Sequence, residues 1–140
     1  MTDIDLIKKK LAFIETCIRE LTDLAQPEKL DADVREQRFV QHTLQLAIQA
    51  ALDVASHIVS ARRLGEPETN RQLFDLLIRD GWVSENLGQP LYAMVGLRNI
   101  LVHGYHSVDN AIVRDVLENH LGDLESFVEA IRAQLASRTP

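Results

Sequence analysis

The sequence predicts an all-α protein, an up-and-down bundle of four to five helices, and three observations support this fold class. Apolar residues recur at alternating spacings of three and four along most of the chain, which is the period of one helix face. No segment alternates apolar and polar residues for long enough to form a strand. The 140 residues include only 6 glycines and 4 prolines, too few for a turn-rich β-sandwich. Because 46% of the residues are hydrophobic, we expect one core and a single domain over residues 1–140.

The first helix is predicted from an apolar seam that Pro27 ends. Thr2 precedes the seam and is a suitable N-cap. Basic and acidic residues occupy the flanks, among them Lys8, Lys9 and Lys10, which we expect to be solvated. The seam itself consists of Ile4, Ile7, Leu11, Ile14, Ile18, Leu21 and Ala25.

A second, longer helix is predicted to begin at an aspartate cap, Asp31 or Asp33, and to run to about Arg63. Gly65 and Pro67 follow in the order expected beyond a helix C-terminus. The apolar positions of this helix are Val40, Leu44, Ala47, Ile48, Ala51, Ala55 and Ile58.

Residues 39–61, within this second helix, carry Asp53 as their only formal charge. They nevertheless contain too many polar side chains for a membrane span. The stretch therefore predicts a buried helix with a polar stripe, in which a polar side chain recurs every four residues. The stripe consists of Gln41, Gln45, Gln49, Asp53 and His57.

The rest of the chain predicts three further helices. Residues 69–72 resemble a capping box that opens a short third helix, which Gly81 closes. Pro90 suits the first position of a fourth helix, which Gly104 can end. Asp109 is the expected cap of a last helix, whose apolar side holds Val113, Val116, Leu117, Leu124, Phe127, Val128, Ile131 and Leu135.

Composition excludes several functional classes. The net charge of −6 has the wrong sign for a protein that binds nucleic acid over its whole surface, so any such role requires a local pocket. A single cysteine, Cys17, excludes an internal disulfide and any multi-cysteine zinc site. Because His42 and His120 lack acidic or histidine partners at metal-ligand spacing, we expect no metal site. Residues 1–5 show no secretory signal, which favours a cytoplasmic protein without membrane association.

The most informative stretch is Arg98-Asn99-Ile100-Leu101-Val102-His103-Gly104-Tyr105. Cleaving RNA without a metal ion requires a group that takes the 2′-hydroxyl proton, one that protonates the 5′-oxygen, and a cation against the phosphoryl charge. Histidine suits the proton transfers because its free pKa is near 6.5. Arginine suits the phosphate because its planar guanidinium stays charged and binds two oxygens. A looser Arg-x5-His pair, Arg114 and His120, is interpreted as a chance match.

The spacing creates a geometric difficulty. Five residues along a helix rotate the chain by about 500°, which leaves the two side chains about 140° apart. Either the helix unwinds near Gly104, or two copies of the chain pool their residues across a symmetric dimer. A structural interpretation also exists: Arg98 is an ion-paired structural residue and His103 a cation favoured by the dipole at a helix C-terminus.

The chain resembles the HepT family of the HEPN superfamily. The resemblance covers residues 38–127, and its most specific part is the sequence MVGLRNILVHGY at residues 94–105. It is also carried by DVASHI at 53–58, LGEP at 64–67 and FDLLIRDG at 74–81.

The resemblance implies a HEPN-like helical bundle that acts as a homodimer and cleaves RNA at the dimer cleft, without a metal ion or cofactor. It further implies the toxin of a type VII toxin–antitoxin pair. The partner is then an MntA-like minimal nucleotidyltransferase, which neutralises the toxin by transferring AMP from ATP to a tyrosine. Carried over to this sequence, Arg98 grips the scissile phosphate and His103 performs acid–base catalysis. Asn99 hydrogen-bonds beside them, and Tyr105 is the AMPylated residue.

Asp53 is a candidate supporting residue near this cleft. An unpaired charge among so many apolar residues is costly, so we expect Asp53 to pair with Arg98 or with His57, one turn further along the helix. The alternative is that Asp53 satisfies another buried partner or faces solvent.

Two other functions are compatible with the sequence. One is a non-catalytic HEPN subunit that binds nucleotide or scaffolds the nucleotidyltransferase, and the other is a structural dimerisation bundle. Retention of Arg98, His103 and Tyr105 disfavours a pure scaffold, whereas the negative charge favours it. Trp82 is expected to be a core or interface anchor, and Gly96 to permit close approach of another helix.

Overall fold

A computed structural model describes residues 3–103 and 108–138, and within those ranges the chain is helical, without strands. Short 3-10 helices, Pro27–Lys29 and Glu85–Leu87, lie in two of the connections. The predicted all-helical fold is therefore confirmed. The α-helices are α1 (Ile4–Leu24), α2 (Val34–Ala61), α3 (Asn70–Arg79), α4 (Gly88–His103), α5 (Asn110–Asn119) and α6 (Leu121–Arg138).

Short polar side chains cap four of these helices at their N-termini. The N-cap of α1 is Asp3, which accepts a hydrogen bond from the Leu6 amide; the predicted cap Thr2 lies outside the described residues. Of the two candidates before α2, Asp33 is the cap. Thr69 caps α3 and Asp109 caps α5, as predicted. Each cap satisfies an amide that the helix itself leaves without a partner.

Helices α2 and α3 end in the same type of turn, but a different residue type adopts the left-handed conformation in each. After α3, Gly81 adopts the left-handed conformation with φ 80°, and the Trp82 amide donates to the Leu77 carbonyl. After α2 the left-handed residue is Arg63, with φ 54°, and not the predicted Gly65. The paired bonds from residues 63 and 64 back to 60 and 59 satisfy the last carbonyls.

The predicted last helix is in fact two helices, because α5 stops at a bend and α6 begins at Leu121. His120 is the C-cap of α5, and its carbonyl accepts a hydrogen bond from the Asp123 amide. The His120 ring lies between the carboxylates of Asp115, at 3.1 Å, and Asp123, at 3.0 Å. These bonds hold the bend, which the apolar spacing alone does not reveal.

Helix α2 is the centre of the bundle and contacts each of the other five helices. By length and composition it is apolar enough to cross a membrane, but 56% of its most apolar window is buried inside the structure. This burial confirms the predicted buried helix. Every helix contributes to one continuous core, in which Phe74 and Phe127 pack edge to face with ring centroids 5.9 Å apart. Burial also raises the pKa of the Cys17 thiol to about 11.

The C-terminal end of α6 is anchored on Trp82. The indole is 1% exposed, as expected of a core anchor, and the Arg62 and Arg138 guanidinium carbons lie 5.1 and 4.4 Å from its ring centroid. Its Nε1–H donates to Asp80, which also accepts a hydrogen bond from Arg138. The indole is therefore fully engaged and cannot stack on a base.

Candidate active site

Helix α4 carries the first part of the motif and brings it to the surface of the bundle. The helix begins at Gly88, so Pro90 lies at its third position and not at the predicted first one. Proline is tolerated there because the first amides of a helix have no internal partner. Arg98 and His103 are the only basic residues of α4, and the rest of this helix is almost entirely apolar.

Arg98 is half-buried at the border between α4 and α2. Its Nε–H donates to Gln49 Oε1 at 3.2 Å, and its Nη1 donates to Asn99 Oδ1 at 3.3 Å. Both acceptors are neutral amides. Arg98 forms no ion pair with any residue in the described ranges, so its guanidinium keeps its full charge for an external anion.

Asp53 is linked to Arg98 through the side chain of Gln49. Gln49 Nε2–H donates to Asp53 Oδ1 at 3.0 Å, and Lys10 Nζ lies 3.2 Å from Asp53 Oδ2. The predicted pairing of Asp53 with Arg98 or His57 is therefore not observed among the described residues, because Gln49 stands between Asp53 and Arg98. Asp53 pairs instead with Lys10, so the expectation that Lys10 is simply solvated is also wrong.

His103 is exposed at the last position of α4. The helix continues without interruption from Arg98 to His103, so the two side chains leave its axis about 140° apart. Unwinding between the two residues is thus not observed. Gly104 and Tyr105 lie outside the described residues.

The exposed residues of α4 are small or apolar in the middle of the helix and polar at Gln89, Asn99 and His103. Ala93, Gly96, Ile100 and His103 share the outward side of this helix at spacings of three and four, and Ile100 is 41% exposed. A Cβ added at Gly96 meets no atom within 4 Å. The close approach expected at Gly96 is therefore not made by another helix of the described chain.

The second arginine–histidine pair has structural contacts. Arg114 donates to the Pro27 carbonyl and pairs with Asp31 at 2.9 Å. His120 has two acidic neighbours, contrary to expectation, but they bind opposite ring nitrogens and so cannot converge with the ring on one metal ion. No group of three or more potential metal ligands is found within the described ranges.

Tyr92 is the other of the chain's two tyrosines, and both its hydroxyl and its ring have partners. Its hydroxyl donates to Asp75, and the Arg71 guanidinium carbon lies 4.0 Å from its ring centroid. The hydrogen bond to Asp75 raises the pKa of the phenol, with a smaller contribution from burial. Tyr92 is consequently a poor nucleophile.

Gln49 and Lys10 are residues of the site to which the sequence analysis assigns no role there. Gln49 belongs to the predicted polar stripe, and its four-residue spacing from Asp53 was a usable signal. Lys10 gives no such signal, because its partner is 43 residues away in the chain.

Comparisons with known proteins agree on one family. The model of the family described as "Ribonuclease HepT-like" matches residues 14–131. The chain is 35% identical to the mRNA nuclease HepT of Shewanella oneidensis, over 93% of this chain and 98% of that protein. It is 32% identical to the tRNA nuclease HepT of Aphanizomenon flos-aquae, over 96% and 95%. The structure of a tri-AMPylated Shewanella oneidensis HEPN toxin bound to its MNT antitoxin superposes with a TM-score of 0.85, at 35% identity, over 95% of this chain and 99% of that one.

Proposed function

Because the chain belongs to the HepT-like ribonuclease family, we propose that it is a metal-independent endoribonuclease and the toxin of a toxin–antitoxin pair. The observation that carries the proposal is the state of Arg98. It is held by two neutral amides at the surface of α4 and faces no carboxylate among the described residues, and the same helix ends in an exposed His103. A fixed cation and an imidazole that can transfer protons are what metal-free RNA cleavage requires.

The reaction is an internal transesterification. A histidine takes the proton of the 2′-hydroxyl, whose oxygen then forms a bond to the adjacent phosphorus. The bond from phosphorus to the 5′-oxygen breaks, and that oxygen takes a proton from an acid, which leaves a 2′,3′-cyclic phosphate. Arg98 binds the phosphoryl oxygens as their charge increases, Asn99 holds Arg98 Nη1, and His103 transfers the protons.

The catalytic unit is a homodimer in this proposal. Within one chain Arg98 and His103 diverge, whereas a two-fold axis supplies two copies of each group to one cleft. The exposed small and apolar residues Ala93, Gly96 and Ile100 on the outward side of α4 support this arrangement, since such a patch suits the close approach of a second helix.

We therefore expect Gly96→Arg to give a folded monomer that no longer cleaves RNA. A Cβ added at Gly96 meets no atom of the described residues within 4 Å, and arginine improves helix propensity by about 1 kcal/mol, so we expect the substitution to oppose the approach of a second copy. Sedimentation velocity measures whether the variant is a monomer, and circular dichroism measures whether it is folded. Gly122→Arg is the matched control, because Gly122 is also an exposed helical glycine whose added Cβ meets nothing within 4 Å. A dimeric, active Gly96→Arg protein would remove α4 from the interface.

The partner in this proposal is an MntA-like nucleotidyltransferase that transfers AMP from ATP to Tyr105. The phenolic oxygen forms a bond to the α-phosphorus, and pyrophosphate leaves. Each added AMP places negative charge two residues from His103, where it repels RNA and can occupy Arg98. RNA, ATP and the partner meet in the cytoplasm, where we place the protein.

The activity is tested by incubating the unmodified protein with RNA in excess EDTA. We expect cleavage to fragments that end in 2′,3′-cyclic phosphate, because the proposed site uses no metal ion. Mass spectrometry of the fragments identifies the ends. If unmodified protein leaves RNA intact, with and without added Mg²⁺, the chain is a non-catalytic subunit that scaffolds the nucleotidyltransferase.

A further inference from the structure

We propose that Gln49 is a positioning residue for Arg98. Its side-chain amide holds the guanidinium in place and keeps it from forming an ion pair with Asp53. The inference deepens the proposed ribonuclease function and rests on it. It is drawn from one polar chain, Lys10–Asp53–Gln49–Arg98, whose three contacts measure 3.2, 3.0 and 3.2 Å. The chain joins α1, α2 and α4, and we refer to it as the polar relay.

The partners of Gln49 determine how its amide is oriented. A guanidinium only donates hydrogen bonds, and a carboxylate only accepts them. Gln49 must therefore turn its oxygen to Arg98 and its NH₂ group to Asp53, which is the arrangement observed. The reverse orientation places donor against donor and acceptor against acceptor. The relay thus allows one amide orientation only.

The amide differs from a carboxylate in charge while matching it in shape. A glutamate at position 49 would pair with Arg98 and compete with the RNA phosphate for the same guanidinium. Gln49 accepts the Nε–H bond without contributing a net charge. Lys10 in turn supplies Asp53 with a cation of its own. Arg98 is therefore fixed at Nε, while its Nη groups bond only to the neutral Asn99 among the described residues and keep their positive charge.

The position of Gln49 on α2 explains why its side chain reaches both Asp53 and Arg98. Gln49 and Asp53 lie one turn apart on the same side of α2, so their side chains meet. Lys10 reaches Asp53 from α1, and Arg98 reaches Gln49 from α4. Because all of these residues lie on helices packed around one core, the relay sets the Arg98 position more tightly than a loop would.

The experiment compares two nearly isosteric variants, Gln49→Met and Gln49→Glu, in cleavage of a short single-stranded RNA. Methionine removes the anchor but leaves the charge of Arg98, so we expect kcat/KM to fall about 10-fold. Glutamate keeps a bond to Nε but neutralises the cation, so we expect a fall of about 100-fold, with a raised KM. A merely structural role predicts the opposite order, because glutamate retains an acceptor for Arg98 that methionine lacks.

Two further variants separate the possible causes. The double variant Gln49→Glu with Asp53→Asn removes repulsion between adjacent carboxylates, and we expect it to remain impaired because Arg98 is still neutralised. Gln41→Glu is the matched control, since Gln41 is a half-buried member of the same stripe without a bond to Arg98 among the described residues. We expect it to cleave RNA like the wild type. Circular dichroism and thermal melting verify that each variant is folded.

The outcomes distinguish the inference from the function on which it rests. If the wild type cleaves RNA and Gln49→Glu cleaves it equally well, Gln49 does not position Arg98 and the inference is overturned. Full recovery in the double variant overturns it as well, because carboxylate repulsion is then the cause. If the wild type itself does not cleave RNA, the proposed function fails first, and the inference fails with it.

Discussion

Alanine at Arg98 or at His103 is expected to abolish RNA cleavage, with a fall in kcat/KM of about 1,000-fold or more. Arg98→Ala removes the charge proposed to bind the phosphoryl group, and His103→Ala removes the group proposed to transfer protons. Single-turnover cleavage of an end-labelled RNA in EDTA measures the loss. Both variants should stay folded, because His103 is exposed and the bonds of Arg98 to the described residues are all to amides. Leaving the oxygen of Gln49 without its donor costs only about 1 kcal/mol.

The second arginine–histidine pair provides the control. Arg114→Ala and His120→Ala remove the same residue types from the same chain, at a place where they bind Asp31, Asp115 and Asp123. We expect these variants to lose some stability and to keep wild-type cleavage per folded molecule. Wild-type cleavage by Arg98→Ala or His103→Ala would instead remove the catalytic assignment.

Phenylalanine at Tyr105 is expected to abolish AMPylation and to make the toxin resistant to its partner. Without the phenolic oxygen no bond to the α-phosphorus of ATP can form, although the aromatic ring is kept. Intact-mass spectrometry of the protein made with the nucleotidyltransferase measures the modification. The wild type should gain mass in multiples of AMP, and the variant none. Growth of cells that express both genes gives an independent measurement, since only the variant should remain toxic.

Tyr92→Phe is the matched control for this experiment. The chain has two tyrosines, and the Tyr92 hydroxyl is engaged by Asp75, which raises the phenol pKa. We therefore expect Tyr92→Phe to be AMPylated like the wild type. Modification that survives Tyr105→Phe and disappears in Tyr92→Phe would reverse the assignment.

Features that depend on local sequence were predictable. Helix periodicity and capping act over a few residues, so Thr69 and Asp109 could be identified as caps and Asp33 as one of two candidates. The bend at His120 was not predictable, because apolar residues continue at helical spacing on both sides of it. The left-handed turn at Arg63 was missed for a related reason: glycine is the usual residue there, and Gly65 was available two positions later.

The sequence by itself determined the helical architecture and the residues of the motif, because the 3.6-residue period and the types of side chain are present without any folding. Only the tertiary structure decided the surroundings of Arg98. Its partner Gln49 is 49 residues away, and Lys10 is 43 residues from Asp53. Three packed helices bring these groups together, and one intervening amide determines whether the cation stays free or is neutralised. Such a choice depends on ångström distances between distant segments, which spacing along the chain does not encode.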